Sequence, residues 1–184
     1  SPQQVVDADG TTSFSYTYTW TVDGQTVSEA SNTLSSTEFS KGQTVLCNVV
    51  ANDGVNDSIS TVSNGVVIAN TIPTIQSVTI TPNAPQAGDI LTCSHEGFSD
   101  ADNDTDLTSY EWSLNGRSVG TGSTLSTTLS QGDTIQCTAT PFDGQDYGQT
   151  VSSVTTVGNT PPVLTSVTLT PTSPIETSTL TCTP

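Results

Sequence analysis

The chain has 184 residues, of which eighteen are acidic and two basic (Lys41 and Arg117), giving a formal charge of −16. That balance excludes a phosphate-backbone binder, which needs clustered Lys and Arg to displace counterions, and it disfavours docking on anionic lipid. No apolar run approaches the ~18 residues of a membrane span and nothing reads as a secretory signal, so neither nucleic-acid binding nor membrane insertion is expected of this segment.

A repeat organises what remains. Asn70-Thr-Ile-Pro73 and the run to Pro82 return as Asn159-Thr-Pro-Pro162 and the run to Pro171; Leu91-Thr-Cys93 returns as Leu180-Thr-Cys182 at the same offset. A period of about 90 residues means tandem domains rather than one large fold. Residues 1–69 read as the last three quarters of a copy. Asp7-Ala-Asp9-Gly10 matches Asp100-Ala-Asp102-Asn103, Trp20-Thr-Val-Asp-Gly24 matches Trp112-Ser-Leu-Asn-Gly116, and Lys41-Gly42 through Cys47 matches Gln131-Gly132 through Cys137. The expected domains are therefore 1–69 (lacking strands A and B), 70–159 (complete) and 160–184 (strands A and B of a further copy).

Within the complete copy, alternation of apolar residues with Thr and Ser at period two marks strands. They are expected over 75–81 (A), 89–94 (B), 108–114 (C), 123–129 (D/E), 134–140 (F) and 149–157 (G), with a hairpin turn at Asn115-Gly116. Tyr110, Trp112 and Leu114 share one face of C, and Glu111 and Ser113 the other. No helical stripe is seen. About seven short strands separated by turn residues argue an all-β chain of two-sheet antiparallel sandwiches.

Cys93, Trp112 and Cys137 fall on strands B, C and F. That order resembles the immunoglobulin-like arrangement, in which a Trp packs against an inter-sheet disulfide, and it implies a Cys93–Cys137 bridge. Closing that loop is worth about 4 kcal/mol in the chain-entropy model. The competing reading is a pair of unbonded buried thiols. The Asn-Thr-x-Pro linker, Asp-Ala-Asp, Tyr-x-Trp-x-x-[Asp/Asn]-Gly and the closing Asp-Gly together resemble the tandem immunoglobulin-like repeats of prokaryotic surface proteins and adhesins, with a more general similarity to PKD-type and cadherin-like repeats. The turn sequences Trp-Thr-Val-Asp-Gly and Trp-Ser-Leu-Asn-Gly depart from the PKD pattern. The resemblance implies domains strung end to end in a stalk, filament or adhesin at the cell surface; no catalytic activity is expected, because a lone histidine and cysteines better explained as a bridge than as nucleophiles offer no catalytic set. Four cysteines at repeat spacing agree with an oxidising, extracellular compartment.

The sharpest cluster is Asp100-Ala-Asp-Asn-Asp-Thr-Asp106. A helix-loop-helix calcium site fails, because Thr105 stands where glycine is required and no helices flank it. As sandwich loops, however, Asp100, Asp102, Asp104 and Asp106 would share one end of the domain with Asp143 and Asp146. Asp7 and Asp9 would stand likewise beside Asp53 and Asp57. Converging carboxylates suit a hard cation, and Ca²⁺ is the expected ligand; the competing reading is a solvated acidic loop. Asn56 and Asn103 head N-glycosylation sequons. His95, the single histidine, is expected at the surface rather than as a base. The alternatives to a structural segment are a glycan- or protein-binding module, for which Phe142 and Tyr147 are the local candidates for an aromatic platform, and accessory domains of a large secreted enzyme.

Cys47 and Cys182 each lack a partner in their own partial copy and are expected to pair with a neighbouring repeat or subunit. Ser1-Pro2 superposes on Thr183-Pro184 in the repeat register. The expectation is either a window on a longer array or strand donation between subunits head to tail.

Overall fold

The computed structural model describes residues 5–184; Ser1–Gln4, where the expected overlap of register falls, lie outside the described residues. The chain is all-β, its strands gathered into several antiparallel sheets, and among the described residues the only helical element is a 3-10 turn, Ser36–Glu38. Among the described residues no helix is long and apolar enough to cross a membrane. The structure divides into two compact units. One takes in the described residues up to Gln76 together with Gly97–Thr108 and Thr140–Thr150; the other takes in Ser77–Glu96, Ser109–Ala139 and Val151–Pro184.

In the first unit, β1 (Ser15–Val22), β2 (Gln25–Thr26), β3 (Thr44–Asn52) and β4 (Thr61–Val62) form a sheet in the order β2-β1-β3-β4, with β5 (Val66–Val67) also paired to β3. Asp23 and Gly24 both take positive φ, 50° and 77°, so a two-residue turn folds β2 back on β1. The register sets Tyr16 opposite Ala51, Tyr18 opposite Val49, and Trp20 opposite Cys47. Residues directly opposite in an antiparallel pair point to the same side, so these six make one apolar face.

In the second unit, β6 (Ser77–Thr81), β7 (Leu91–Glu96) and β10 (Thr124–Leu125) form a sheet in the order β10-β7-β6. A second sheet runs β12-β11-β8-β9, from β8 (Ser109–Leu114), β9 (Arg117–Thr121), β11 (Thr134–Thr140) and β12 (Val151–Thr156). Both contribute to one core: Ile80, Leu91, Cys93 and Leu125 from the first, Trp112, Ile135 and Cys137 from the second, closed by Leu129 and Val157. The Cys93–Cys137 disulfide ties β7 to β11 across that core, with Cα atoms 6.4 Å apart. Trp112 is wholly buried, and its indole N–H donates to the Gly122 carbonyl at 2.9 Å, so its one polar atom is satisfied. Glu111, next to it, is exposed as alternation requires.

Over 123–129, where one long strand is expected, the structure has only the short β10, and it adds β9, a strand that was not expected, directly after the turn. A two-residue turn at Asn115-Gly116 (φ 51° and 79°) returns the chain at once along β8, so the partner strand has to start at Arg117. A last hairpin, β13 (Thr168–Thr170) with β14 (Thr181–Thr183), pairs Leu169 with Cys182. Cys47 and Cys182 carry no disulfide; the first is partly buried and the second exposed.

Candidate functional site

The loops after β7 and after β11 both belong to the first unit, and each is shaped by its own aspartates. Asp100 Oδ1 accepts the backbone N–H groups of Asp102 (2.8 Å) and Asp104 (3.2 Å), curling the loop around its carboxylate. Asp143 Oδ1 does the same for Gln145 (2.7 Å) and Asp146 (2.6 Å). Asp and Asn make such Asx turns because a short side chain mimics a backbone carbonyl. The two curled loops bring Asp100, Asp104 and Asp143 together, with one carboxylate oxygen from each within 4.8 Å of the others.

Two residues outside the loops complete the cluster. Lys41 forms an ion pair with Asp104, and its ammonium also donates to Asn70 Oδ1 at 3.0 Å. The Asn70 side-chain amide in turn donates to Asp143 Oδ2 (2.8 Å) and Asp146 Oδ2 (2.9 Å). The Thr71 N–H donates to Asp102 Oδ2 at 2.7 Å. The segment that leads from residue 69 toward β6 is thus fastened to both acidic loops. Against this, Asp100 Oδ2 is buried with no hydrogen-bond partner in the structure. A buried carboxylate oxygen left without a donor is costly, and it leaves lone pairs available inside a set of hard oxygen donors.

The electrostatics follow from these contacts. Burial pushes the Asp143 carboxyl up, but the hydrogen bonds from Asn70, Asp146 and Gln145, with Lys41 nearby, outweigh it and hold the group below its ordinary value. The hydrogen bond to Asp104 raises Lys41 above the usual lysine range, against the opposing pull of burial. A depressed carboxylate supports the folded form above about pH 4 and loses that support as pH falls further; a raised lysine supports it below about pH 10.4 and loses it as pH climbs through its raised value. The Asn70 fastening is therefore expected to be constant between these limits and to open at both ends. The side-chain amide resonances of Asn70, followed through a pH titration, check this; movement centred near neutrality would contradict it.

No family model matches this chain, and it matches no curated protein. The site is therefore described by its own residues alone.

Several of the other aspartates named from the sequence accept hydrogen bonds within their own loops. Asp106 Oδ1 accepts from the Thr108 backbone (2.9 Å) and hydroxyl (2.6 Å). Asp7 Oδ1 accepts from the Asp9 N–H at 2.6 Å. Asp53 Oδ1 takes the Val55 and Asn56 amides at 2.7 Å, and these bonds, the Asn56 one first, lower its carboxyl, with a further side-chain bond from Asp7. Asp7 and Asp53 thus lie beside each other as their counterparts Asp100 and Asp143 do. Asp57 accepts from the Asn52 amide at 2.8 Å. Asn56 and Asn103 are both exposed, Asn103 with a positive φ of 60°. His95 Nδ1 lies 2.6 Å from the Tyr110 hydroxyl, a structural contact between β7 and β8. Phe142 and Tyr147 stack, with ring centroids 4.3 Å apart and 21° between planes.

Lys41 and Asn70 were not singled out from the sequence. A signal for Lys41 existed, since it is one of two cations in a strongly acidic chain and had to be near some carboxylate. For Asn70 the signal is its place at the head of the Asn70-Thr-Ile-Pro73 linker, which a sandwich puts at the same end as the acidic loops.

Proposed function

We propose that the chain is a structural segment of an extracellular stalk, filament or adhesin, built from tandem immunoglobulin-like sandwiches joined end to end by short proline-bearing linkers. The observation that carries this reading is that one sheet is built twice. The order β9-β8-β11-β12 of the second unit has its counterpart in β2-β1-β3-β4 of the first, with the same kind of positive-φ turn, a Trp on the central strand and a Cys on its neighbour. The inter-sheet disulfide supports an oxidising compartment. Prolines at 73 and 162 favour extended linker backbone. Small-angle scattering of the purified chain tests the arrangement: each complete domain should add on the order of 30–40 Å of length, and a single compact envelope would end the reading.

Within it, the carboxylates of Asp100, Asp104 and Asp143 fit a hard divalent cation, and Ca²⁺ is the ion proposed. The buried Asp100 oxygen without a donor is what supports it. Such an ion would supply positive charge among the loops that hold Asn70 and Thr71, and Lys41 would compete with it. Calorimetric titration is expected to give a dissociation constant of about 10⁻⁴–10⁻³ M, the range of extracellular modules. Lys41→Gln, which copies the residue found at the equivalent Gln131, should bind several-fold more tightly, and Asp143→Asn more weakly. Identical proteolysis at 70–73 with Ca²⁺ and with chelator would leave Lys41 as the cluster's counter-charge and remove the ion.

A second reading, a glycan- or protein-binding module, has one observation in its favour. Tyr147 is 65 % exposed while stacked on Phe142, so its outer face is available to a sugar ring. Tyr147→Ala abolishing retention on a glycan array would favour it over the purely structural role.

A further inference from the structure

We propose that Asn64 is a self-modifying site: in the folded protein the Gly65 backbone nitrogen attacks the Asn64 side-chain amide, and the residue becomes an aspartyl or isoaspartyl carboxylate. The chain's other Asn-Gly pair, Asn115-Gly116, is held unreactive by the same fold. Neither the tandem arrangement nor the cation is needed for this.

Asn64 sits in a β-bulge. Between the pairs Val45–Val66 and Asn48–Val62, β3 advances from Val45 to Asn48 while the chain beside it runs from Val62 to Val66, one residue more. The matching ladder of the second unit has no such surplus, since Ile135 to Thr138 faces Thr155 to Ser152 residue for residue. The surplus splits one strand into β4 and β5 and sets Ser63, Asn64 and Gly65 opposite Leu46 and Cys47. Ser63 stays tied to β3: its N–H donates to the Cys47 carbonyl at 2.8 Å, and its hydroxyl accepts the Cys47 N–H at 3.0 Å. The next two residues are loose. Among the described residues, neither the Asn64 side chain nor the Gly65 N–H makes a hydrogen bond. Close approach to β3 explains the glycine, because a Cβ at 65 would stand 3.2 Å from the Thr44 side-chain methyl.

Asn64 is exposed, so water reaches it. The same position stays open where both sheets of a sandwich are present: in the second unit Val154, opposite Gln136 (the counterpart of Leu46), is 58 % exposed. Asn115 is the comparison that the chain itself supplies. It too is exposed and followed by glycine, but its Nδ2 donates to Asp133 Oδ1 at 2.8 Å and its Oδ1 accepts the Thr134 N–H at 2.9 Å. Turning that amide carbon toward the Gly116 nitrogen breaks both bonds. At Asn64 there is nothing to break.

The reaction balances with water as its one co-reactant. The Gly65 nitrogen bonds to Asn64 Cγ, the Cγ–Nδ2 bond breaks, and the amide leaves as ammonia with the proton from the Gly65 nitrogen; the attack is intramolecular, between groups already adjacent. Water then opens the cyclic imide at one of its two carbonyls. Opening at Cγ restores the backbone and leaves an aspartate side chain. Opening at the main-chain carbonyl routes the backbone through Cγ and leaves a free α-carboxylate. Either way one amide becomes one carboxylate, and nothing is oxidised. The isoaspartyl product adds an atom to the backbone where the strand already carries an extra residue outside the ladder, so the product collects on the folded protein as a one-way mark of age.

The test incubates the full 184-residue chain at neutral pH and physiological temperature, with samples taken over weeks, digested and mapped by mass spectrometry. The expected result is conversion of Asn64 to a mixture of isoaspartate and aspartate, ahead of Asn115 by roughly ten-fold or more, since two hydrogen bonds of ordinary strength must be given up at Asn115. In denaturant the two sites should convert at similar rates. Asn64→Gln, at an exposed position, should gain no comparable acidic species on isoelectric focusing over the same period. Asp133→Ala, which removes the acceptor of the Asn115 amide, should speed conversion at Asn115 and leave Asn64 as it was. An Asn64 that stays an amide in the folded chain, or converts no faster than Asn115, overturns the proposal. So does a rate ratio that persists unchanged in denaturant, because the difference would then lie in the flanking residues and not in the bulge.

Discussion

Replacing Trp112 with alanine is expected to destabilise the second unit by about 3–5 kcal/mol, the range for removing a fully enclosed aromatic. The side chain is at 0 % exposure between two sheets, and its indole N–H is the donor for the Gly122 carbonyl. Alanine therefore leaves both a large cavity and an acceptor without its partner. For a domain of this size the loss corresponds to a melting-temperature drop on the order of 20 °C. The paired control is Trp20→Ala, on the sheet whose face lies open. Trp20 is only partly buried and gives its N–H to the Ser31 carbonyl at 3.0 Å, so in the monomer the substitution should cost clearly less. Calorimetry on both variants reads the difference. Equal losses would mean that the β1–β3 sheet has a cover of its own within one chain.

The second large effect is expected from the double substitution Cys93→Ala with Cys137→Ala. The bridge spans a sequence separation of 44 and joins the two sheets at the centre of the core. Its removal releases the unfolded chain from a loop whose closure is worth about 4 kcal/mol, an upper-end figure. Both alanines are small enough for the site to accept, so the loss is mostly that constraint plus the buried sulfur contacts. The double change is the informative one, because a single substitution leaves a thiol free to exchange with Cys47 or Cys182. Thermal unfolding of the wild type in reductant should converge on that of the double variant in oxidising buffer. A wild-type melt that ignores reductant would show that the two sheets hold together without the bridge. That result would weaken the argument for an oxidising compartment, which rests on the cysteines being used.

What the residues alone determined was local and periodic. Period-two alternation named the strands at β6, β7, β8, β11 and β12 to within a few residues, because a side chain's face on a strand is fixed by its parity. Asn115-Gly116 announced its turn because few other residue pairs tolerate positive φ twice in succession. The resemblance carried by Cys93, Trp112 and Cys137 placed the bridge, and Glu111 was assigned to solvent by its neighbours. The acidic loops were recognisable as turn-forming and crowded with charge.

Tertiary structure alone decided which carboxylates meet. Asp100, Asp104 and Asp143 converge, while Asp106 and Asp57 turn back on their own loops, and nothing in the spacing of ten aspartates separates the two groups. It alone brought Lys41 and Asn70 into the cluster, since contacts 63 and 73 residues apart in the chain leave no trace in a local pattern. And it alone distinguished two near-identical hairpins, one enclosed and one bare, because burial is a property of what lies opposite a face and not of the residues that compose it.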